Sequence, residues 1–290
     1  MKNYKWTVLI DKPDNRDYQA DHLLGSFDFV IPEEVNLIDN CEVHNQGNTM
    51  HCTAYWITHI HQILNTIERK NKIKLNPIEQ WENQKKDPWT ASEKNGDYLQ
   101  SALKSLKKFW LNYNWEKLTI DWYAVVHRGS FKKYLAKWMP IYTWNHFTAT
   151  NYKKAKETGF WGGIDWPTTW WHAIAIVGYD KNNNYIAVNS WGKNWWYFKN
   201  WTFLIKEKDL ENLFTSYVIF DTVDIEKIFK DVSEKSPLAN SIKWASDNWL
   251  VKWYGDENLP NEEKLFLPDR EISRAEVCVV LKRFYDLIKK

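Results

Sequence analysis

The sequence predicts an α+β protein with a helical part first, an antiparallel sheet second and a small helical module at the C-terminus. Three observations carry this. From Cys52 onward Ala54, Ile57, Ile60, Ile63, Leu64 and Ile67 recur at three- and four-residue steps, the apolar stripe of a long helix. After Pro140 the pattern changes to short apolar runs split by turn residues, as strands require. Near Asp224–Lys235 it resets. Residues 226–290 then read as helical at both ends of a polar loop holding Gly255, Asp256, Pro260 and Pro268. The expected division is therefore 1–225 and 226–290.

Taken in order, residues 1–40 look irregular, broken by Pro13, Pro32 and many Asp and Asn. A polar, turn-rich stretch, CEVHNQGNTMHC, leads into the long helix and puts Cys52 in its first turn. DYLQSALKSLKKFWL, residues 97–111, predicts a second amphipathic helix, and 131–138 a short third. HAIAIVGYD, from His172, and YIAVNSW, from Tyr185, flank the turn DKNNN and predict a hairpin. WTFLIKEK and SYVIFDTV read as further strands.

Composition narrows the function. Lys plus Arg number 39 and Asp plus Glu 37, so bulk charge gives no reason to expect nucleic acid. No stretch approaches the roughly 20 apolar residues of a membrane span. The N-terminus lacks the apolar run of a secretory signal. The three cysteines, Cys41, Cys52 and Cys278, are too few and too odd in number for a disulfide scaffold, so a free thiol is expected. His44, His51 and His146 show no metal-ligand pattern and read as surface or site-rim residues. No metal or other cofactor is expected.

A cysteine opening a helix is more reactive than one in mid-helix, because the positive end of the helix dipole favours thiolate. Gln46 stands shortly before Cys52, His172 leads a strand, and Asn189 is followed by Ser-Trp-Gly. Each alone is uninformative. Together, NQGNTMHCTAY, WWHAIAIVGYD and AVNSWGKNW resemble the papain-like (C1 family) cysteine peptidases in order and context, over about residues 10–220. PDNRDYQADHLLG is similar to the lead-in of bacterial members. The separations from Cys52 to His172 and Asn189 are compact beside the family's roughly 130–150 residues.

The resemblance implies a two-subdomain fold, with the nucleophile helix in one part and His and Asn on the sheet of the other. It implies that Cys52 attacks the scissile carbonyl and His172 carries the proton. Asn189 would orient His172, Trp191 would shield that bond, and Gln46 with the Cys52 N–H would hold the oxyanion. The sequence also departs from the family. Thr49 stands where many members have a disulfide cysteine, which leaves Cys41 without that partner. His51 replaces a small residue before the nucleophile, where it would perturb the thiolate or line the cleft. No prosegment of usual length precedes the domain, so control by one is not expected.

The 20 Trp and 10 Gly are abnormal, since glycine usage of roughly 7% would give about twice as many Gly. Several tryptophans occupy family glycine positions: WWHA at Trp170 and Trp171 would usually read GGHA. The expectation is a gene in which UGA means glycine, with Trp89, Trp110, Trp138, Trp144, Trp161, Trp166, Trp170, Trp171, Trp196, Trp201, Trp249 and Trp253 affected. Trp191, Trp195 and Trp244 fit as genuine. The competing reading is a Trp-rich protein that binds glycans on aromatic faces. Trp170 and Trp171 are expected on the cleft wall beside His172.

From about Phe229, FKDV, IKWASDNWLVKWYGD and FLPDREISRAEVCVVLKRF resemble one S-layer homology module. Ser273 can cap its second helix and Glu276 complete a capping box, while Arg274 is the candidate for anionic glycan. The plain alternative is a helix-loop-helix that only packs on the rest. The module implies cell-wall polysaccharide as partner and a cell-surface location, whereas the missing signal points to the cytoplasm. The expected function is a cysteine peptidase acting on peptides or proteins through an acyl-enzyme. Its rivals are a catalytically silent papain-fold surface protein binding peptide or glycan, and an enzyme of the same fold cutting cell-wall peptides.

Overall fold

The computed structural model describes residues 8–9, 20, 30–86, 90–162, 170–192, 197–198 and 201–220, all within one compact unit. The C-terminal module with Arg274 and Cys278 lies outside the described residues, as do Trp89, Trp166, Trp195, Trp196, Trp244, Trp249 and Trp253. Two short strands, β1 (Val8–Leu9) and β2 (Val35–Asn36), precede the central helix α1 (Cys52–Arg69).

Helix α1 is buried on more than its apolar stripe. Thr53, Thr58, His59, His61, Gln62, Asn65 and Thr66 are buried too. The helix runs between other helices on one side and the sheet on the other, so its polar side chains must find internal partners. Gln62 Oε1 accepts from the Leu75 N–H at 3.0 Å, Thr66 Oγ1 from the Ile73 N–H at 3.2 Å, and Asn65 Nδ2 donates to the His61 carbonyl at 3.1 Å. Lys70, at φ 51°, ends the helix.

Helix α2 (Pro77–Lys86) was not legible in the sequence, because PIEQWENQKK is too polar to show a stripe. Pro77 suits a first helical turn, and the Asn76 side chain accepts from the Ile78 N–H at 3.0 Å. The helix expected over 97–111 is shorter. Asp97–Tyr98 form strand β3 beside β1, α3 spans Leu99–Lys108, and Leu111–Tyr113 form β4. Phe109 leaves the helix in an extended conformation, which turns the apolar Leu111 into a strand.

Strand β4 pairs with β5 (Glu116–Leu118) as a hairpin turning at Asn114–Trp115. Strand β6 (Trp122–Val125) and helix α4 (Phe131–Ala136) follow. After β7 (Ile141–Phe147) comes an unanticipated helix, α5 (Ala149–Thr158), which buries only Asn151 and Ala155. A Thr148/Asn151 capping box starts it, and Gly159 at φ 80° stops it.

The sheet holds the rest: β8 (Phe160–Trp161), β9 (Trp170–Tyr179), β10 (Asn184–Val188), β11 (Thr202–Lys206) and β12 (Tyr217–Phe220). Among the described residues its order is β6-β12-β7-β9-β10-β11-β8, with β2 added on β9. The pairings are antiparallel except β11 with β8. The expected hairpin is β9–β10, closed by Asp180, whose carboxylate accepts from the N–H groups of Asn182 and Asn184 at 2.9 Å. Gly178 has a specific reason: a Cβ there would sit 2.0 Å from the Val35 carbonyl oxygen where β2 crosses.

Alternation along β7 and β9 divides the site-bearing residues between two faces. Tyr142 and Trp144 pair with Ala175 and Ala173, and this face meets α1 in one buried cluster that includes Cys52. Tyr142 also donates its hydroxyl to the Thr53 carbonyl at 3.0 Å, tying sheet to helix. Asn145 and Phe147 pair with His172 and Trp170 on the other face. The α+β class holds: helices on one side and a large, mostly antiparallel sheet on the other.

Candidate active site

Cys52 is the first residue of α1 and is fully buried. Its sulfur lies close enough to the backbone N–H groups of Ala173, Thr53 and Cys52 itself for them to favour the thiolate. Burial pushes its pKa up to about 12, and those N–H contacts only partly oppose the shift. The Ala173 N–H is the peptide that follows His172, so strand β9 brings the imidazole's own backbone to the thiol.

His172 is also fully buried, and burial lowers its pKa to about 3 against the pull of Asn189. Its Nε2 lies 3.0 Å from Asn189 Oδ1. An amide oxygen only accepts, so Nε2 carries the proton and Nδ1 holds the lone pair of the neutral ring. Asn189 follows β10, and the β9–β10 hairpin is what brings the two residues together. The Trp191 indole lies over the imidazole with ring centroids 4.4 Å apart, and Phe147 meets it edge to face with centroids 5.8 Å apart. Trp191 thus lies against the imidazole that Asn189 holds.

Gln46 is buried in the loop before α1. Its Nε2 donates to the Thr49 carbonyl at 2.9 Å, and Thr49 Oγ1 donates to the Gln46 carbonyl at 2.8 Å. The turn that lacks a disulfide cysteine is therefore closed by a reciprocal pair of hydrogen bonds. Cys41 and Cys52 are both free thiols. Two contacts with Ser190, beside Asn189, bind the Gln46 loop to the sheet. Ser190 was missed by sequence reasoning, although it belongs to the NSWG block.

His51 and His146 are 7% and 4% exposed, so neither is a surface residue. His51 stacks on Trp81 at 4.2 Å, and its Nε2 lies 2.9 Å from a Glu93 carboxylate oxygen. Trp81 Nε1 donates to the same carboxylate at 2.8 Å. Burial lowers the His51 pKa more than Glu93 raises it. Glu93 carried no sequence signal, since it lies in a polar loop far from His51 in the chain. His146 packs against Trp171 with the rings tilted and their centroids 3.6 Å apart. Among the described residues no group of three metal-ligating side chains converges.

Trp170 and Trp171 do not form one wall. As consecutive strand residues they lie on opposite faces. Trp170 stacks on Phe147 and meets Tyr152 edge-on, whereas Trp171 packs on His146, Trp144 and Phe214. A cavity of about 600 Å³ lies elsewhere, lined by residues that include Ile38, Cys41, Lys74 and Trp201.

No protein-family model matches this sequence, and no curated protein matches it. Solved structures do. Xylellain, a cysteine protease from Xylella fastidiosa, superposes with TM-score 0.60 at 18% identity, over 75% of this chain and 96% of that one. The Amb a 11 cysteine protease of ragweed pollen, in its proform, gives 0.55 at 19% identity, over 68% and 71%. The Carica candamarcensis cysteine protease CMS1MS2, in complex with E-64, gives 0.53 at 17% identity, over 66% and 99%. The described unit therefore has the papain-like fold.

Proposed function

We propose that this chain is a cysteine peptidase working through Cys52, His172 and Asn189. One observation carries the reading: Asn189 Oδ1 fixes the His172 ring at 3.0 Å beneath Trp191, while the Cys52 thiol sits on the very next peptide of the same strand. The papain-like fold shared with solved cysteine proteases supports this chemistry.

In this mechanism His172 Nδ1 takes the Cys52 proton, and the thiolate forms a C–S bond to the scissile carbonyl carbon. The carbonyl π pair moves to oxygen, where Gln46 and the Cys52 N–H stabilise it. The C–N bond then breaks, and the leaving amine takes the proton from His172. Water then gives a proton to His172 as its oxygen attacks the thioester carbon, the C–S bond breaks to release the acid, and His172 returns the proton to the Cys52 sulfur. Peptides or proteins are the substrates, and residues 226–290 tether the enzyme to anionic cell-wall polysaccharide through Arg274.

A second reading rests on a specific observation. Cys52 and His172 have no exposed surface, so a substrate reaches them only if covering side chains move. A catalytically silent papain-fold protein that binds peptide or glycan would show the same burial. Labelling with a thiol-directed epoxide peptide, followed by peptide mapping, separates the two. Modification at Cys52, absent in Cys52→Ala, together with hydrolysis of a fluorogenic peptide, supports the peptidase. A folded protein that binds the peptide without labelling supports the binder.

A further inference from the structure

We infer that Trp115, Trp138 and Trp201 are glycines in the protein the cell makes, because their UGA codons are read as glycine there. Six non-glycine residues in the described chain have positive φ: Lys70, Asn114, Asn183 and these three tryptophans. Asn tolerates the left-handed region and Lys70 is a helix terminus. A bulky aromatic residue at positive φ is a genuine outlier, and one chain has three.

Trp115 and Trp138 sit in motifs that favour glycine. Trp115 is the second residue of the two-residue β4–β5 turn, with φ 45° at Asn114 and 72° at Trp115. Positive φ at both positions is the type I′ turn, for which Asn-Gly is the preferred pair. Asn-Trp stands in its place. Its indole is wholly exposed, so no packing compensates for the strain.

Trp138 follows the end of α4 at φ 63°. Its N–H donates to the Leu135 carbonyl at 2.9 Å, and the Met139 N–H donates to the Tyr134 carbonyl at 3.0 Å. That pair of bonds is a Schellman motif with Trp138 in the left-handed position usually held by glycine. Gly159 fills the corresponding role after α5, at φ 80°. Trp138 is 60% exposed, again with little packing to justify it. Trp201 has φ 74°, and its carbonyl accepts the Asn189 N–H at 3.0 Å beside the candidate site.

The same test separates other tryptophans. Trp56, Trp81 and Trp191 lack positive φ and are well buried, with Trp81 hydrogen-bonded to Glu93. None of the three stands at a position suspected from the sequence, and the Trp81 Nε1–Glu93 bond needs an indole, so UGG codons are expected at all three. Trp110, Trp144, Trp161, Trp170 and Trp171 also lack positive φ, so the backbone argument does not reach them. Trp115 was not among the positions suspected from sequence. The inference does not depend on the peptidase reading.

The decisive experiment is peptide mass mapping of the protein purified from cells that carry the gene, alongside its codons. UGA codons and glycine masses at 115, 138 and 201, with UGG and tryptophan at 56, 81 and 191, are expected. UGG at the three sites, or tryptophan masses there, would overturn the inference. In the full chain as written, Trp115→Gly and Trp138→Gly are each expected to raise the folding equilibrium constant about 5- to 30-fold, through relief of left-handed strain. Trp81→Gly, the same change at a buried site without positive φ, is expected to lower it. Equal losses at all three would count against the inference.

Discussion

Ser190 Oγ donates to Gln46 Oε1 at 2.5 Å, while the Gln46 N–H donates to the Ser190 carbonyl at 2.8 Å. This double link joins the loop that leads into the Cys52 helix to the loop that holds Asn189. Both side chains are buried, so neither bond is exchanged readily with water. Ser190→Ala leaves Gln46 Oε1 without that donor, at a cost of about 1–3 kcal/mol in stability. If Gln46 serves the oxyanion, the same change lowers kcat for a peptide substrate with little effect on KM. Chemical denaturation and steady-state kinetics check the two effects separately. An unchanged kcat in a destabilised protein would confine Ser190 to structure.

His172→Gln tests the proton carrier. It removes the imidazole but keeps a hydrogen-bonding side chain near Asn189, so the fold should survive. Loss of a positioned acid–base group is worth about 10²–10⁴ in kcat/KM. Asn189→Ala keeps the imidazole but frees it to rotate, so a smaller loss of the same kind is expected. Hydrolysis at wild-type rate by either variant would remove the triad from the mechanism.

The long helix and the β9–β10 hairpin were legible because each rests on local pattern. Apolar spacing marks α1, and the DKNNN turn marks the hairpin that brings Asn189 to His172. Helices α2 and α5 were not legible, since their segments are polar and their fit depends on tertiary partners. The His51–Glu93–Trp81 cluster was hidden for another reason. It joins a loop, a helix start and a second helix whose proximity no local spacing encodes. Burial of His146 was hidden likewise, because it follows from Trp171 across the β7–β9 pairing.

The buried histidines make stability fall in acid. The folded pKa of His172 is about 3, below the roughly 6.5 of an unfolded chain, so the unfolded state binds the extra proton. Its contribution is fully present above about pH 6.5 and is lost as pH falls toward 3, at up to about 1.4 kcal/mol per pH unit. His146, lowered to about 4, acts in the same direction. Urea unfolding of wild type and His172→Gln across this range should give a shallower slope for the variant by one proton. Parallel curves would mean that the imidazole stays protonated in the folded state.

Cys52 offers a measure of how the site opens. Burial is the main reason its thiol is pushed up to about 12, and Trp171 packs on the same buried cluster that contains Cys52. Trp171→Gly removes that indole and admits water, so the thiol pKa should fall. Each unit of fall raises the thiolate fraction at neutral pH about tenfold. The accompanying loss of nucleophilicity reduces the net gain in alkylation rate to about threefold. Iodoacetamide labelling, read by peptide mapping to separate Cys52 from Cys41, should therefore be slow in the chain as written and faster in Trp171→Gly. Equal rates at Cys52 in the two proteins would show that Trp171 does not close the site, and would move attention to Trp144 on the neighbouring strand.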